Sequence, residues 1–342
     1  MNGFIFDKVE VINAMERVLD KEGINFDSLQ HKSNIIDSLV DMSLRGVDTH
    51  GVKLFPCYIK ELLGGRSKLN PDIKIFNKSN SLLNIDADNA LGIVAGCLAV
   101  DEGVQLAKKQ GISLVSVSNS NHFGAASIYT LRAARQGLAC FSFSNSDALV
   151  STLPSSGHPF LGTNPLSFAV PLQDDFPMCL DIATSQLSYT HVSSSLNNGV
   201  FIEKGVAVDK SGEDLSHLQC SPHNFGSLLP LGGYKGQGLG IMVEVLTSLL
   251  SGMPFGHQLS HLYSEPYDKP RKVSHSFIFI DIGSITNIDH FLSRSNEYFL
   301  EFKKQNPNSL YPGEKEKESY LRRSSNGIFL DLDTSKYLGL EK

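Results

Sequence analysis

Hydrophobic and polar residues follow two different patterns along the chain. Over residues 8–63 the apolar residues recur at helical spacing, as at Val9, Ile12 and Val18. From about residue 73 onward, short β-branched runs alternate with helical stretches, which is typical of a layered α/β domain. The pattern predicts an N-terminal helical region, an α/β domain, and a C-terminal segment packing on the helical region, over residues 1–72, 73–287 and about 288–342.

Two predicted strands in the α/β part end in polar loops. A β-branched strand over residues 112–117 breaks into a loop that contains His122, and a helix of about residues 125–136 follows. The next strand, over residues 138–143, ends in a loop that contains Ser146. Ligands bind at the carboxyl ends of strands in open α/β sheets, so both loops are candidate functional positions.

The α/β part contains further predicted strands and helices. Further strands are predicted over residues 73–76, 82–85, 166–170, 178–182 and 274–282, and further helices over about 89–110, 232–250 and 288–304. Residues 210–230 have no clear periodicity. The apolar helix of about 232–250 has one polar stripe, at Gly240, Glu244, Ser248 and Ser251.

A second histidine, His50, lies between predicted helices. Asp48 or Thr49 is expected to cap a third helix, in which Pro56 is tolerated near the start. This places His50 at a helix N-terminus.

Composition describes an ordinary globular protein and argues against nucleic acid as a partner. The 342 residues are 41% hydrophobic and 19% charged, with a net charge of −6. A chain of this length buries a large core, and two or three lobes are expected. Basic residues are dispersed, so nucleic acid is not expected as a partner.

Cysteine spacing and hydropathy favour a reduced, cytoplasmic protein. The five cysteines lie far apart, without a disulfide or zinc pattern, and no metal is expected. The N-terminus lacks an apolar core of signal-peptide length, and no apolar run approaches the ~18 residues that suggest a membrane span.

The glycine-rich segment of residues 232–238 invites a phosphate-binding interpretation beside Lys235. It fails two motif tests. A P-loop requires Ser or Thr after the lysine, where Gly236 stands, and the dinucleotide fingerprint requires a glycine where Ile241 stands. Anion binding by a helix N-terminus and simple close packing with a solvated lysine both remain open.

His122 and His50 are candidate general acids or bases, because an imidazole with a pKa of ~6.5 suits proton transfer near neutrality. The alternative for each is a capping or core role. His257 and His261 lack the glutamate of a zinc-protease helix and are interpreted as surface residues. Asp147 and Asp181 could be loop caps or acids; Asp181, at a strand end, could also accept hydrogen bonds from ribose hydroxyls or orient a histidine.

Five short blocks resemble the malate/L-lactate dehydrogenase family, which also includes sulfolactate, ureidoglycolate, diketogulonate and piperideine-carboxylate enzymes. They occur in family order along most of the chain: Asp48-Thr49-His50-Gly51, Asn119-Ser120-Asn121-His122-Phe123-Gly124, Leu161-Gly162-Thr163-Asn164-Pro165, Asp181-Ile182-Ala183-Thr184-Ser185 and Leu231-Gly232-Gly233-Tyr234-Lys235-Gly236.

The resemblance implies a fold, a chemistry and a set of site residues. The implied fold is α/β, a sulfolactate-dehydrogenase-like layered mixed sheet that differs from the Rossmann domain. The implied activity is hydride transfer between NAD or NADP and a small 2-oxo or 2-hydroxy acid, keto sugar or imine, by a homodimer, with His122 and His50 as proton donor and acceptor. The implied cofactor-binding residues are Ser146, Leu180, Asp181, Ile182, Ala183, Thr184, Ser185, Tyr234, Lys235, Gly313 and Glu314.

Two departures from the family pattern concern the substrate pocket, where Leu54, Thr163 and Asn164 are expected. The family usually has a carboxylate-binding arginine where this chain has Leu54, and Lys53 is turned by about 100° on a helix from that position. Residues 188–191 also lack the family's usual Ala-x-Gly-Lys. Two hypotheses follow: a reductase whose substrate lacks a carboxylate or presents it to another cation, or a family-derived protein that acts as a cofactor- or ligand-binding subunit.

Overall fold

The computed structural model describes residues 3–217 and 222–340, so Cys220 lies outside the described residues. The strands are β1 Gly3–Phe6, β2 Lys74–Ser79, β3 Leu82–Asp86, β4 Ile112–Ser120, β5 Leu138–Ser144, β6 Val150–Ser151, β7 Pro159–Leu161, β8 Leu166–Val170, β9 Met178–Ile182, β10 Ala207–Asp209, β11 Phe225–Leu228, β12 Val273–Asp281 and β13 Ile328–Asp331. The α-helices are α1 Lys8–Lys21, α2 Leu29–Leu44, α3 Phe55–Gly64, α4 Gly92–Gln110, α5 Ser127–Ala134, α6 Tyr189–Asn197, α7 Tyr234–Glu244, α8 Ile288–Gln305, α9 Glu314–Asn326 and α10 Leu332–Tyr337.

A seven-stranded sheet in the order β2-β3-β4-β12-β5-β8-β9 forms the centre of the molecule. β3 and β4 are parallel, whereas β12 runs antiparallel to both β4 and β5. His275 of β12 pairs with Val117 of β4 and Ser144 of β5. Leu166 of β8 pairs with Phe143 of β5 and Ile182 of β9. β4, β5 and β9 therefore end at one side of the sheet, called here the carboxyl edge. The predicted layered mixed sheet is confirmed.

Helices α1 to α5 share one continuous hydrophobic core with one face of this sheet. Its fully buried side chains include Met15, Leu39, Tyr129 and Phe277. Gly103 of α4 lies so close to the sheet that a methyl group there would overlap the Phe279 ring. Close packing of α4 on the sheet therefore requires glycine at this position.

The other face of the sheet is covered by α7 and the π-helical turn Val245–Leu249 that continues it. The predicted polar stripe of this helix points inward, because Gly240, Glu244 and Ser248 are buried. Large apolar side chains point outward instead, each 38–59% exposed: Ile241, Met242, Val245, Leu249 and Leu250. The helix is thus apolar on its solvent side, the reverse of the usual arrangement.

A smaller four-stranded sheet, in the order β10-β11-β6-β7, has a core of its own. Val192 and Leu196 of α6 are buried in it. The sequence pattern predicted none of β10, β11 and α6. Their apolar runs are too short for a periodicity to be measured against the surrounding glycine, serine and asparagine.

The two ends of the described chain meet. β1 pairs antiparallel with β13, with Gly3 opposite Asp331 and Phe6 opposite Ile328. α9 packs on α2, where the Ser319 hydroxyl donates to the carbonyl of Leu44. The sequence pattern predicted neither β1 nor α9.

The prediction that Asp48 or Thr49 caps the third helix is wrong. Residues Asp48–His50 and Val52–Leu54 form two 3₁₀ turns, and α3 begins only at Phe55 without a side-chain cap. The Asp48 carboxylate instead accepts two hydrogen bonds from Arg323 of α9, at 2.5 and 3.0 Å. His50 therefore lies in a turn between α2 and α3, separated from the start of α3.

Membrane-spanning helices and metal-binding clusters are both absent from residues 3–217 and 222–340. None of the helices there has both the length and the apolarity to cross a bilayer. The same residues contain no group of three or more His, Cys, Asp or Glu side chains that could hold a metal ion.

Candidate active site

The His122 loop begins directly at the end of β4, because this strand continues to Ser120, beyond its predicted end. Asn119 and Gly124 have the positive φ values 51° and 75°, which asparagine and glycine adopt most readily. A methyl group on Gly92 would overlap the backbone of Asn121 and His122, so the start of α4 packs against the loop.

Asn121 fixes the loop from within. Its buried side chain donates to the carbonyl oxygens of Arg66, Asn89 and Ala90 at 3.1–3.3 Å, and its Oδ1 accepts from the Arg271 backbone N–H at 3.3 Å. Four contacts on one side chain hold the residue before His122 in a single position. The end of β4, Gly124 and Asn121 together fix the loop, and this fixes the position of the His122 imidazole.

The His122 ring contacts Tyr58 of α3 and the ring of His50. Its Nδ1 lies 2.9 Å from the Tyr58 hydroxyl oxygen and accepts a longer, 3.4 Å hydrogen bond from the Gly124 backbone N–H. The His50 and His122 rings stack with centroids 5.8 Å apart and planes 26° from parallel. The structure thus brings the two predicted histidines together, although they come from distant parts of the chain.

Burial lowers the pKa of both imidazoles. His50 has a pKa of about 4 for this reason. The pKa of His122 lies well below its ordinary value, first because of burial and then because His50, Arg271 and His275 repel its cationic form. Both rings are neutral at pH 7 in the unliganded protein.

The His50 turn, Asp48–His50, is held on both sides. The Arg323 guanidinium binds the Asp48 carboxylate and also donates to the Ser43 carbonyl at 2.6 Å. The Val52 N–H donates to the Ser43 hydroxyl at 2.9 Å, which draws the following residues onto α2. The His50 Nδ1 lies 3.0 Å from the Thr49 hydroxyl.

An arginine that the sequence reasoning missed lies near His122. Arg271, just before β12, is only 4% exposed; its guanidinium is paired with Asp147 and donates to the Ser260 carbonyl at 2.9 Å. The side chain of His261 lies 3.8 Å from the same Asp147 carboxylate and is 38% exposed, so His261 is a surface residue, as predicted, that also faces this ion pair. His257 is exposed, as predicted. Asp147 is neither a free acid nor a loop cap but the partner of a buried cation.

The hydroxyl cluster of Ser146, Thr163 and Thr184 forms at the carboxyl edge. The Ser146 and Thr163 hydroxyls are 3.2 Å apart, and the Thr184 hydroxyl donates to the Thr163 carbonyl at 3.0 Å. The Leu231 N–H donates to the Thr184 carbonyl, which ties the start of the glycine-rich segment to the end of β9. Ser185 pairs with Pro230 in the same contact.

The N-terminus of α7 is open to solvent beside this cluster. Tyr234 is 74% exposed and Lys235 is also exposed. Gly232 and Gly233 have φ values of 58° and 72°, and a methyl group on Gly232 would face open space. Gly236 and Gln237 donate their N–H groups backward along the chain, whereas the N–H groups of Tyr234 and Lys235 make no hydrogen bond within residues 3–217 and 222–340. Free N–H groups at a helix N-terminus and a nearby lysine suit an anion.

The remaining predicted cofactor residues lie on and beyond β9. Leu180 and Ile182 pack on the α7 side of the sheet, and Ala183 follows them. Asp181 points to the opposite side, where its exposed carboxylate accepts a 2.8 Å hydrogen bond from the N–H of Ser127 at the start of α5.

Gly313 and Glu314 approach the sheet near the beginning of β9. The Cys179 N–H donates to the Pro312 carbonyl at 3.1 Å, and a methyl group on Gly313 would press on the Cys179 backbone. Glu314 forms a 2.6 Å ion pair with Lys303, so its carboxylate already has a cationic partner.

Leu54 and Asn164, two of the expected pocket residues, present almost no surface. Leu54 is 3% exposed and belongs to the main core, and the neighbouring Lys53 forms a 2.8 Å ion pair with Asp331. Asn164 is fully buried; it donates to Glu244 at 2.7 Å and accepts from the Ser146 N–H at 3.2 Å. Asn164 thus holds the Ser146 loop through the Ser146 N–H. Glu244, which the sequence did not reveal as a site residue, holds Asn164 in turn.

His275 is a further missed histidine, and its contacts are structural. It is fully buried, stacks on Phe123 at 4.5 Å, and its two ring nitrogens each lie 2.9 Å from a serine hydroxyl, of Ser120 and Ser144. Burial lowers its pKa to about 3. It joins β4, β12 and β5 beneath the His122 loop. Its polar neighbours in an apolar strand were the available sequence signal.

The described residues thus combine a mixed sheet, two stacked imidazoles at its carboxyl edge and an α7 N-terminus that is open to solvent. The chain belongs to the malate/L-lactate dehydrogenase family, whose model matches residues 6–339. It is accordingly an oxidoreductase of the dehydrogenase class, and the resemblance given by the five sequence blocks is confirmed.

Relatives and solved structures agree with this assignment. The chain is 34% identical over 305 residues to a malate dehydrogenase of Pyrococcus abyssi, covering 86% of this chain and 81% of the relative. It is 28% identical over 315 residues to the ureidoglycolate dehydrogenase (NAD(+)) of Escherichia coli, covering 90% and 88%. It matches the structure of the sulfolactate dehydrogenase of Methanocaldococcus jannaschii with a TM-score of 0.88 and 28% identity, covering 98% and 95%.

Proposed function

We propose that this protein is an NAD(P)-dependent oxidoreductase that transfers a hydride between nicotinamide and a small 2-oxo or 2-hydroxy acid, keto sugar or imine. The observation that carries the proposal is the stacked pair of His50 and His122, which are half-buried and neutral at the carboxyl edge. A neutral imidazole can accept the proton of a substrate hydroxyl or donate a hydrogen bond to a carbonyl oxygen. The two histidines are the proposed proton donor and acceptor.

The residues of the carboxyl edge fit a dinucleotide. The open α7 N-terminus and Lys235 suit the pyrophosphate, the partly buried Ser146 offers a hydroxyl group, and the exposed Asp181 suits ribose hydroxyls. Buried Thr184 contributes by holding the Thr163 carbonyl in place. Tyr234 offers an exposed aromatic face to a ring of the cofactor. Once bound, the reduced nicotinamide supplies the hydride for the substrate carbon.

The protein's own contribution is to orient the substrate and handle the proton at its oxygen. In reduction, the carbonyl carbon gains the hydride and the oxygen gains a proton that passes through His122 or His50. A substrate anion near His122 would offset the repulsion from Arg271 and raise the pKa of the imidazole toward neutrality. Substrate binding thereby favours the protonated donor when it is needed.

Substrate choice follows from the cations near His122. Leu54 provides no charge, and Arg271 is the charged guanidinium that acts on His122. We infer that the substrate either lacks a carboxylate or directs it toward Arg271, in competition with Asp147. Malate, sulfolactate and ureidoglycolate are substrates named for relatives of this chain, and 2-oxo acids of that size are the first compounds to test.

The test combines a fluorescence titration with NADH and NADPH and an activity panel of 2-oxo acids, imines and keto sugars. His122→Ala and His50→Ala should lower kcat by about 10²- to 10⁴-fold and leave the cofactor Kd near its wild-type value. His257→Ala, which removes an exposed histidine, is the control. Absence of saturable binding of both cofactors, or near-native turnover by His122→Ala, would contradict the proposal.

A second candidate function is a cofactor- or ligand-binding subunit without catalysis. The observation that favours it is the burial of Leu54 in the hydrophobic core, at the position where the family usually has its carboxylate-binding arginine. Saturable NAD(P)H binding without turnover on any compound of the panel would support this alternative.

We further propose that the active form is a homodimer that covers the apolar outer side of α7. The resemblance to the family implies a homodimer, and five large apolar side chains of α7 and its π-helical turn face outward. Leu249→Glu should convert the dimer to a monomer in light scattering. Leu300→Glu, at a comparably exposed leucine of α8, should leave the oligomeric state unchanged. A monomeric wild type, or a dimer unaffected by Leu249→Glu, would contradict this arrangement.

A further inference from the structure

The contacts of His122 differ sharply between its two ring nitrogens. Nδ1 has two neighbours that can donate: the Gly124 backbone N–H at 3.4 Å and the Tyr58 hydroxyl at 2.9 Å. Nε2 makes no hydrogen bond with residues 3–217 or 222–340. Nε2 is therefore the ring nitrogen left available to a ligand.

A backbone N–H can only donate a hydrogen bond, so the Gly124 contact favours a lone pair on Nδ1. A hydroxyl can donate or accept, and beside a lone pair it donates. Both neighbours of Nδ1 are satisfied together only when the neutral ring carries its proton on Nε2.

Tyr58 is well placed to enforce this arrangement. It lies on α3 and is fully buried in the main core, where its ring is fixed by packing. Within the described residues, the hydrogen bond of its hydroxyl goes to His122. The other charged or titratable groups that face His122 are His50 from the turn before α3, Arg271 just before β12 and His275 of β12; all of them repel a second proton on the ring.

We propose that Tyr58 is a positioning residue that holds His122 as the Nε2–H tautomer, so that His122 donates a hydrogen bond, and not a proton, to the substrate oxygen or imine nitrogen. The inference rests on the proposed function and assigns separate roles to its two histidines. The neutral Nε2–H ring donates a hydrogen bond to a carbonyl or imine and keeps its proton, because loss of that proton would leave an imidazolate. His50, whose Nδ1 meets a threonine hydroxyl that can donate or accept, is free to exchange the proton itself.

The assignment gives each histidine one role in both directions. In reduction the carbonyl or imine carbon gains the hydride, the Nε2–H of His122 donates a hydrogen bond to the oxygen or nitrogen, and protonated His50 transfers the proton to that atom. In oxidation the same proton returns to His50, because the forward and reverse reactions pass through one transition state. The proposal therefore predicts that the pH dependence of kcat follows the titration of His50 in both directions.

The first experiment is ¹⁵N NMR of ring-labelled histidine in the full-length protein, with the His122 signals assigned by their loss in His122→Asn. Protonated Nε2 and unprotonated Nδ1 on His122 are expected. This measurement needs no turnover and no cofactor, so it remains valid if the proposed function fails. A proton on Nδ1 in the neutral ring would overturn the proposal.

The second experiment compares Tyr58→Phe with Tyr129→Phe, a control that removes a hydroxyl from an equally buried tyrosine whose partner is the Phe123 carbonyl. Tyr58→Phe should lower kcat for reduction roughly 10- to 100-fold, as loss of a group that orients an active histidine commonly does, with little change in KM or in the NAD(P)H Kd. Wild-type kcat in Tyr58→Phe would overturn the proposal. An equal loss of kcat in the two variants would also overturn it, because the effect would then be one of packing.

Discussion

Replacing Glu244 tests whether the inward polar stripe of α7 holds the candidate site together. Glu244 is 6% exposed and accepts hydrogen bonds from the Asn164 side chain at 2.7 Å, the Ser248 hydroxyl at 2.9 Å and the Gly256 N–H at 3.1 Å. The Asn145 side chain donates to it at a longer 3.4 Å. Through Asn164 and Asn145 one carboxylate supports both loops of the hydroxyl cluster.

The expected loss of stability follows from these contacts. In Glu244→Ala the Gly256 N–H keeps no acceptor, and an unsatisfied buried donor costs about 1–3 kcal/mol. The bonds from Asn164 and Ser248 are charge-assisted, worth about 1.5–3 kcal/mol each, but both donors retain a second acceptor, at the carbonyls of Gly240 and Glu244. A total loss of about 3–6 kcal/mol is expected, and Glu244→Gln, which keeps the shape and one acceptor, should lose about 1–3 kcal/mol.

Urea unfolding followed by circular dichroism measures this loss, and a fluorescence titration with NADH measures its effect on the hydroxyl cluster. The cofactor Kd of Glu244→Ala should rise about tenfold or more, which corresponds to about 1.4 kcal/mol. Glu301→Gln is the matched control, because its carboxylate is 59% exposed and pairs with Lys304 on the surface; it should change stability by less than about 0.5 kcal/mol. Wild-type stability in Glu244→Ala would refute the network as a source of order in the site.

Two further predictions concern other supports of the site. Arg323→Ala should lower the free energy of unfolding by about 1–2 kcal/mol and also lower kcat, because the ion pair with half-buried Asp48 and the hydrogen bond to the Ser43 carbonyl are lost. Arg322→Ala, at the exposed neighbour, should change neither quantity in the same urea and steady-state measurements. Burial lowers the pKa of His275 to about 3, so as the pH falls from 6.5 the imidazole takes up a proton in the unfolded chain before it does so in the folded protein. The stability that is present above pH 6.5 is therefore lost as the pH falls toward 3. His275→Gln should flatten urea stability against pH over that window by up to about 1.4 kcal/mol per pH unit, whereas exposed His290→Gln should not; an unchanged slope in His275→Gln would contradict a neutral buried ring.

The strand-and-loop pattern around His122 could be predicted because its signals are local. A β-branched run, a polar break and a helical run follow one another within a few turns of chain, and β4 and α5 lie close to their predicted positions. The pairing of His50 with His122 needed the resemblance to the family, since no local pattern relates a turn before α3 to the end of β4. The same holds for Ser146, Thr163 and Thr184, which meet only through the register of β5, β8 and β9.

Other features could not be predicted, for separate physical reasons. A polar stripe on an apolar helix has the same spacing whether it faces water or a buried network, so the inward direction of Glu244 was invisible in the sequence. Arg271 precedes a strand with no motif around it, and its role depends on Asp147 from another loop. The α9 helix was missed because its Glu-Lys repeat contains few apolar residues, and tertiary contacts of Ser319 and Arg323 hold it in place.

The contact between Arg323 and the His50 turn also sets an order of events during synthesis. Asp48 emerges from the ribosome early, but the guanidinium that holds it belongs to α9, near the far end of the described chain. β1 likewise waits for β13 before either strand has a partner. A nascent chain can therefore pair much of the sheet before α9 is available to hold the Asp48 carboxylate beside His50. Truncations before α9 should accordingly yield proteins that contain both histidines and are still inactive.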